Sequence, residues 1–293
     1  MGELSSPAKV KEILSRHNFH TKKSLGQNFL IDGNIINKII NTAEITEQDM
    51  AVEIGPGIGV LTSSIAQKAQ KVLAVEIDNK LRPVLAETLE PYNNAKVVFA
   101  DAMDTNFDQL VYDNSGGKFG ADVGKYKLVA NLPYYITTPI IMHLLTNKFN
   151  LHSLVVMVQK EVGMRMAASP GTKVYGSLSV AVQYYTEAEV AFKVPKTVFY
   201  PKPDVDSVIV RLKVRDKPPV QVSDEELYFK VVRAAFNQRR KTLLNALSGS
   251  NIALDKEQWI NILQSVNIDP KRRGETLDLK EFALIADNIN KYY

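Results

Sequence analysis

The chain contains no cysteine, which excludes disulfides and thiolate metal sites and makes a reducing cytoplasm the expected compartment. Its four histidines, His17, His20, His143 and His152, fall at no ligand-like spacing, so no metal centre is expected. Long apolar runs are also missing: no stretch approaches the ~20 residues a membrane-spanning helix needs. The first residues hold no apolar signal core. Met1-Gly2 with Ser6 meets the bare myristoylation pattern, which is short enough to arise by chance, and no lipid anchor is expected. A large excess of either charge is absent as well. A net charge of +4 over 293 residues permits a polyanionic partner without requiring one. With 45% apolar and 23% charged residues, the composition is that of an ordinary globular protein, one large domain or a large and a small one.

What is present is an alternation of strand and helix signals. Residues 34–48 read as a helix with Ile35, Ile36, Ile39 and Ile40 on one face. Strands are predicted at 50–54, 71–77, 96–100, 126–130 and 153–158, with helices at 58–69, 79–89 and 139–147 between them. Such alternation implies an α/β fold with a parallel sheet and helices on both faces. A Gly- and Asp-containing stretch, 113–125, reads as an exposed loop. Residues 177–185 read as a helix, and 188–194 with 207–214 as an antiparallel pair closing the sheet. After the Lys217-Pro218-Pro219 linker the chain is helix-patterned, with Ser223 as the expected N-cap of Asp224-Glu225-Glu226. The predicted division is a large domain at 1–216, whose first 48 residues form an N-terminal segment, and a small helical domain at 217–293.

Four polar sites fall at the carboxyl ends of predicted strands. The turn Glu53-Ile54-Gly55-Pro56-Gly57-Ile58-Gly59 lets backbone approach a ligand closely. Glu76, closing the second strand, can accept hydrogen bonds from both hydroxyls of a ribose, and Asp101, ending the third, from an adenine amino group. Together they describe a nucleoside crevice. A dinucleotide is disfavoured because the loop is G-x-G-x-G rather than G-x-G-x-x-G and because Glu53 would repel phosphate. A cationic ligand suits Glu53, and S-adenosylmethionine is such a ligand. The fourth site is Asn131-Leu132-Pro133-Tyr134. The Asn131 side-chain oxygen and the Leu132 carbonyl can each accept from one exocyclic amine, and Tyr134 can stack on the ring that bears it. Read locally, the same four residues also describe a strand that simply turns at proline.

These motifs resemble the ribosomal RNA adenine N6,N6-dimethyltransferases, in particular the bacterial small-subunit (16S) group. The resemblance covers nearly the whole chain. It runs through Lys23-Ser24-Leu25-Gly26-Gln27-Asn28-Phe29-Leu30, the glycine loop at 53–59, Val75-Glu76-Ile77-Asp78, Asp101-Ala102 and Asn131-Leu132-Pro133-Tyr134. It ends with 199–207, Phe-Tyr-Pro-Lys-Pro-Asp-Val-Asp-Ser, and Gln238-Arg239-Arg240-Lys241-Thr242-Leu243. It implies a Rossmann-like, class I S-adenosylmethionine-dependent methyltransferase sheet with a small all-helical C-terminal domain. It also implies that Asn28, Leu30, Gly55, Gly57, Glu76, Asp101 and Asn131 bind the cofactor, and that Asn131 to Tyr134 carry catalysis. Ser177 to Val180 resembles a family helix near the target, although core packing is the preferred reading.

The implied reaction is dimethylation of two adjacent adenosines in the 3′-terminal hairpin loop of 16S RNA, within an immature 30S subunit, by a monomeric cytoplasmic enzyme. Across the family, loss of such an enzyme is associated with kasugamycin resistance. Macrolide-resistance methylases of 23S RNA are the nearest alternative; they more often carry Ile at the position of Leu132, and Thr138-Pro139 with the 238–243 motif favours the small-subunit group. Tyr135 departs from the Asn expected there. A non-catalytic RNA-binding assembly factor is the third alternative. RNA contacts are expected from Lys22, Lys23, Arg239, Arg240 and Lys241, and from the 192–217 stretch, which holds seven Lys/Arg against three Asp. Phe29 and Phe199 are candidate walls of the base pocket, and a core role accounts for either equally.

Overall fold

Strand β2 (Met50–Ile54) is buried at every position, as a strand covered on both faces must be. In the computed structural model, which describes residues 4–21 and 26–289, it lies inside a seven-stranded sheet. The other strands are β3 (Lys71–Glu76), β4 (Ala95–Phe99), β5 (Tyr126–Asn131), β6 (Leu151–Gln159), β7 (Thr186–Val194) and β9 (Ser207–Val214), in the order β4-β3-β2-β5-β6-β9-β7. The pairs β2/β3, β3/β4, β2/β5 and β5/β6 are parallel, and β9 runs antiparallel to β6. From β2 the chain builds outward through β3 to β4, then restarts on the other side with β5. The strand order therefore reverses between β2 and β5, and a crevice opens beyond the carboxyl ends of strands at such a point.

Helix α2 (Gly33–Thr42) buries the predicted face, Ile35, Ile36, Ile39 and Ile40. Removing each of these side chains from water contributes roughly 1.5–3 kcal/mol. The helix begins where Asp32 accepts from the amides of Asn34 and Ile35 and stops six residues short of the predicted end. Helices α3 (Val60–Ala66), α4 (Arg82–Leu89) and α6 (Thr137–Thr146) connect the strands. Several elements lie where none was predicted. Helix α1 (Pro7–Arg16) is capped by Ser6, whose hydroxyl accepts from Lys9 N, and buries Val10, Ile13 and Leu14. Helix α5 (Phe107–Ser115) starts at Asn106, which accepts from Gln109 N. Strands β1 (Phe29–Leu30) and β8 (Phe199–Tyr200) form a separate antiparallel pair, Phe29 opposite Tyr200 and Leu30 opposite Phe199.

The chain divides into two compact units, Met1–Gly163 with Glu189–Val214 and Met164–Ala188 with Arg215–Tyr293. The sequence placed one cut at 216/217; the structure adds 164–188 to the helical unit because that segment shares its core. Helices α7 (Lys160–Met166), α8 (Ser177–Tyr185), α9 (Glu225–Asn237), α10 (Leu243–Ser248), α11 (Lys256–Ser265) and α12 (Leu279–Ile289) complete the chain. In the helical unit Tyr184 packs on Tyr228 at 5.2 Å and Tyr175 on Phe236 at 5.8 Å, and the Tyr185 hydroxyl donates to Glu225 at 2.5 Å. The cap of α9 is Asp224, which accepts from Leu227 N. Ser223, the expected cap, bonds Asp287 instead. Among the described residues no helix is long and apolar enough to cross a membrane, and no group of His, Cys, Asp and Glu could hold a metal ion.

Candidate active site

A cavity opens at the tips of β2, β3, β4 and β5, and it collects most of the residues singled out in the sequence. Gly55, Gly57 and Glu76 line it with Asp101, Asn131 to Tyr134, Asn28 and Leu30. The turn after β2 needs its glycines. Gly57 has φ +57°, and a Cβ there would stand 2.8 Å from the Phe29 ring, so a side chain would be strained and would push Phe29 aside. Phe29 itself lines the cavity.

The acidic residues differ in how they are held. Glu53, on the buried strand β2, is 1% exposed and accepts from Thr62 Oγ1 at 2.5 Å. Burial pushes its carboxyl up to about 8, against the pull of the Thr62 bond and with a push from Glu76. Glu76, at the end of β3, accepts from Asp78 N at 2.8 Å and, at 3.4 Å, from Gly57 N. Burial raises its pKa too, with a smaller push from the Asp78 charge, and the backbone amides of Asp78, Gly57 and Ile77 oppose the shift. A carboxylate offers about four lone-pair sites, so Glu76 retains acceptor capacity toward the cavity. Asp101 accepts from Met103 N through Oδ1.

The 131–134 turn presents acceptors. Asn131 Nδ2 donates to the Asn28 carbonyl at 3.0 Å, which fixes the amide so that Oδ1 is the end left to accept. Among the described residues no donor reaches Asn131 Oδ1 or the Leu132 carbonyl. The Pro133 carbonyl, by contrast, is taken by Ile136 N and Thr137 Oγ1. Leu132 buries its side chain, so only its carbonyl is available to a ligand. Tyr134 is half-buried; its hydroxyl and Ser207 Oγ share a 2.7 Å hydrogen bond that fixes the ring, and burial raises its pKa. Tyr135, where Asn was expected, is 57% exposed and also lines the cavity.

The cavity lining holds three acidic side chains, Glu53, Glu76 and Asp101, and no Lys, Arg or His among the described residues. A buried, uncompensated anion is costly, and a cationic ligand relieves that cost where a polyphosphate would add to it. With an acceptor for ribose hydroxyls and another for an adenine amine at neighbouring strand tips, these residues fit S-adenosylmethionine.

Several predicted contacts fall elsewhere. Phe199 is 3% exposed and sits in the hydrophobic core. It does not face RNA, because strand alternation turns it inward and its neighbour Tyr200 outward. Arg239 does not begin a helix, and its guanidinium donates to the carbonyls of Lys173 and Tyr175, whereas Arg240 and Lys241 are exposed. Ser179 is buried, its hydroxyl donating to Arg165 O, which is the core-packing role. Lys22 and Lys23 lie outside the described residues. Sequence reasoning missed Gln27 and Asp78, joined at 3.1 Å, and Ser207. All three lie inside the quoted motifs, so motif membership was the signal available.

The profile described as "Ribosomal RNA adenine dimethylase" matches residues 18–284 of this chain. A protein of Pelotomaculum thermopropionicum named ribosomal RNA small subunit methyltransferase A is 55% identical over 286 residues, covering 98% of this chain and 97% of its own length. Among solved structures, a dimethyladenosine transferase from Plasmodium falciparum matches with a TM-score of 0.74 and 26% identity, over 90% of this chain and 98% of that one. The 23S rRNA methyltransferase ErmE matches with a TM-score of 0.67 and 24% identity, over 89% of this chain and 99% of that one, a likeness of fold alone.

Proposed function

The chain belongs to the ribosomal RNA adenine dimethylase family, and from that premise we propose that it dimethylates N6 of two adjacent adenosines in the 3′-terminal hairpin loop of 16S ribosomal RNA. The proposed cofactor is S-adenosylmethionine, the substrate particle an immature 30S subunit, the acting species a monomer and the compartment the cytoplasm. The observation that carries the proposal is the pair of open acceptors, Asn131 Oδ1 and Leu132 O, at the rim of a cavity whose described lining is acidic and holds no Lys, Arg or His.

The cofactor, when bound, supplies an electrophilic methyl group on a sulfonium. Asn28, Leu30, Gly55 and Gly57 would bound its site, Glu76 would accept from ribose hydroxyls, and Asp101 from the adenine amine. Asn131 Oδ1 and Leu132 O hold both protons of the target amino group, which turns the nitrogen lone pair away from them. Tyr134, its hydroxyl anchored on Ser207, provides the face on which the extruded base stacks. Rate then comes from positioning and from a fixed electrostatic setting. A strong general base is unnecessary, since the nitrogen becomes acidic only on alkylation. Mass spectrometry of 16S RNA after incubating immature 30S particles with the protein and labelled cofactor tests this, with naked 23S RNA alongside. Absence of dimethyladenosine in 16S would overturn the proposal, and its presence only in 23S would assign the alternative substrate.

In the proposed RNA-binding role of the helical unit, Arg240 and Lys241 have phosphate as their natural partner. Arg240→Ala with Lys241→Ala should weaken RNA binding across sequences and reduce the salt slope by about 1 per lost contact. Arg239→Ala should instead lower the melting temperature, because it strips donors from two carbonyls. Filter binding across a salt series and thermal melts separate the two effects; an unchanged slope in the double variant would remove this cluster from the RNA contact.

A further inference from the structure

Gly26 to Leu30 line the cavity and are fastened on both sides of β2. On one side Gln27 Nε2 donates to Asp78 Oδ2 at 3.1 Å, just beyond β3. On the other the Asn28 carbonyl accepts from Asn131 Nδ2 at 3.0 Å, at the end of β5. Between the two fastenings Asn28 Nδ2 donates to Gly26 O at 3.0 Å and closes the local turn. Beyond them Phe29 sits against Gly57, and Phe29 and Leu30 pair with β8. The segment is therefore a strap over the tip of β2, tied to the strand on either side.

Each tie reaches a residue that holds one reactant. Asp78 is gripped through its carboxylate by Gln27, and through its own amide it donates to Glu76 Oε1 at 2.8 Å. Asp78 is buried, and its Oδ1 also caps the turn at Lys80 N. Displacing its side chain therefore shifts the amide that orients Glu76. At the other tie the Asn28 carbonyl decides which end of the Asn131 amide points to the open rim. One peptide segment thus sets both the ribose acceptor and the amine acceptor.

We propose that Gln27 is a positioning residue that, through the strap, couples seating of the methyl donor to alignment of Asn131 on the target amine. This rests on the methyl-transfer function proposed above. Gln27 does not touch the reacting atoms in this scheme; it acts through Asp78 and Asn28. A hydrogen bond from a neutral amide to a carboxylate is among the stronger neutral–charged contacts, and losing it should loosen one tie without unfolding the sheet.

The test compares Gln27→Ala, Asp78→Ala, their double variant and Gln27→Lys, with 16S RNA in immature 30S particles as substrate. Gln27→Ala should raise the KM for S-adenosylmethionine and lower the single-turnover rate at saturating donor, each about tenfold, with unchanged melting temperature and RNA affinity. The double variant should be no worse than Asp78→Ala, because both remove the same tie. Gln27→Lys, which can donate to the same carboxylate, should recover the rate at saturating donor, while its charge on the cavity lining keeps the KM for the cationic donor raised. A Gln27→Ala enzyme with wild-type KM and rate overturns the proposal. A raised KM with an unchanged saturating rate overturns the coupling, since Asn131 would then be aligned without the strap. A lowered melting temperature with no kinetic change shows a structural role only, and also overturns it. Inactivity of the wild-type protein on every RNA is distinguishable from all of these and would sink the methyl-transfer function instead.

Discussion

Asn131→Ala should lower methyl transfer to 16S RNA by about 100- to 1,000-fold, the loss seen when one preorganised electrostatic contact is removed from a reacting centre. The side chain has two jobs at its two ends. Nδ2 is spent on the Asn28 carbonyl, leaving Oδ1 as the acceptor for the target amine. Alanine removes both, so the amine keeps only the Leu132 carbonyl and the strap loses a fastening. Asn131→Asp separates the two contributions. It retains an acceptor for the amine but sets a carboxylate against the Asn28 carbonyl, so rate should fall and donor binding should weaken together. Melting should change little, because Asn131 is only half-buried at a strand end. Single-turnover kinetics with labelled donor measure the step. A variant within threefold of wild type would show that the turn does not grip the amine.

Donor affinity should rise with pH between about 6 and 8, by as much as about tenfold per pH unit, and Glu53→Gln should remove that dependence. Burial holds the Glu53 carboxyl at about 8 against an ordinary 4.5, so the empty protein carries a proton there at neutral pH. A cation lodged nearby favours the charged form, so binding expels the proton and is favoured as pH rises. Stability runs the opposite way. The folded protein binds that proton more tightly than the unfolded chain does, so this contribution is complete below about 4.5. It is lost as pH climbs toward 8. Glu53→Gln, neutral throughout, should therefore melt higher than wild type at pH 8 in the absence of donor. The gain should be on the order of a few kcal/mol. Among the described residues Glu76 is the one charged group that moves the Glu53 carboxyl, and the neutral Thr62 is its hydrogen-bond donor. Glu76 shifts in the same direction, so slope remaining in Glu53→Gln would belong to it. Calorimetry in buffers of different ionisation enthalpy counts the protons released. Equal release from wild type and Glu53→Gln would place the switch elsewhere.

Residues whose behaviour depends on near neighbours were legible in the sequence. The four isoleucines of α2 repeat at helical spacing, and that periodicity alone names the buried face. The strand–turn–helix at 50–66 was legible because glycine is the residue that tolerates the positive φ found at Gly55, Gly57 and Gly59. Helix α1, by contrast, begins at a serine and proline whose signal is as common in loops. Strands β1 and β8 are two residues each, too short for any alternation to register. Phe199 and Tyr200 are both aromatic, and nothing within the pair says which is turned inward. Ser223 and Asp224 are both good caps, and the choice between them falls to Asp287, 64 residues away.

From its amino acids alone this protein is an alternating α/β chain whose strand tips carry a glycine turn, two acidic acceptors and an Asn-Leu-Pro-Tyr turn. Steric limits on φ, side-chain periodicity and hydrogen-bonding chemistry are properties of short segments and need no fold to act. Only the tertiary structure decided that burial pushes the Glu53 carboxyl up, that Phe199 belongs to the core and that Arg239 is spent on carbonyls. It also decided that Gln27 and Asn28 reach partners 51 and 103 residues away. Loss of water around a carboxyl and the meeting of distant chain segments exist only once the sheet has closed over them.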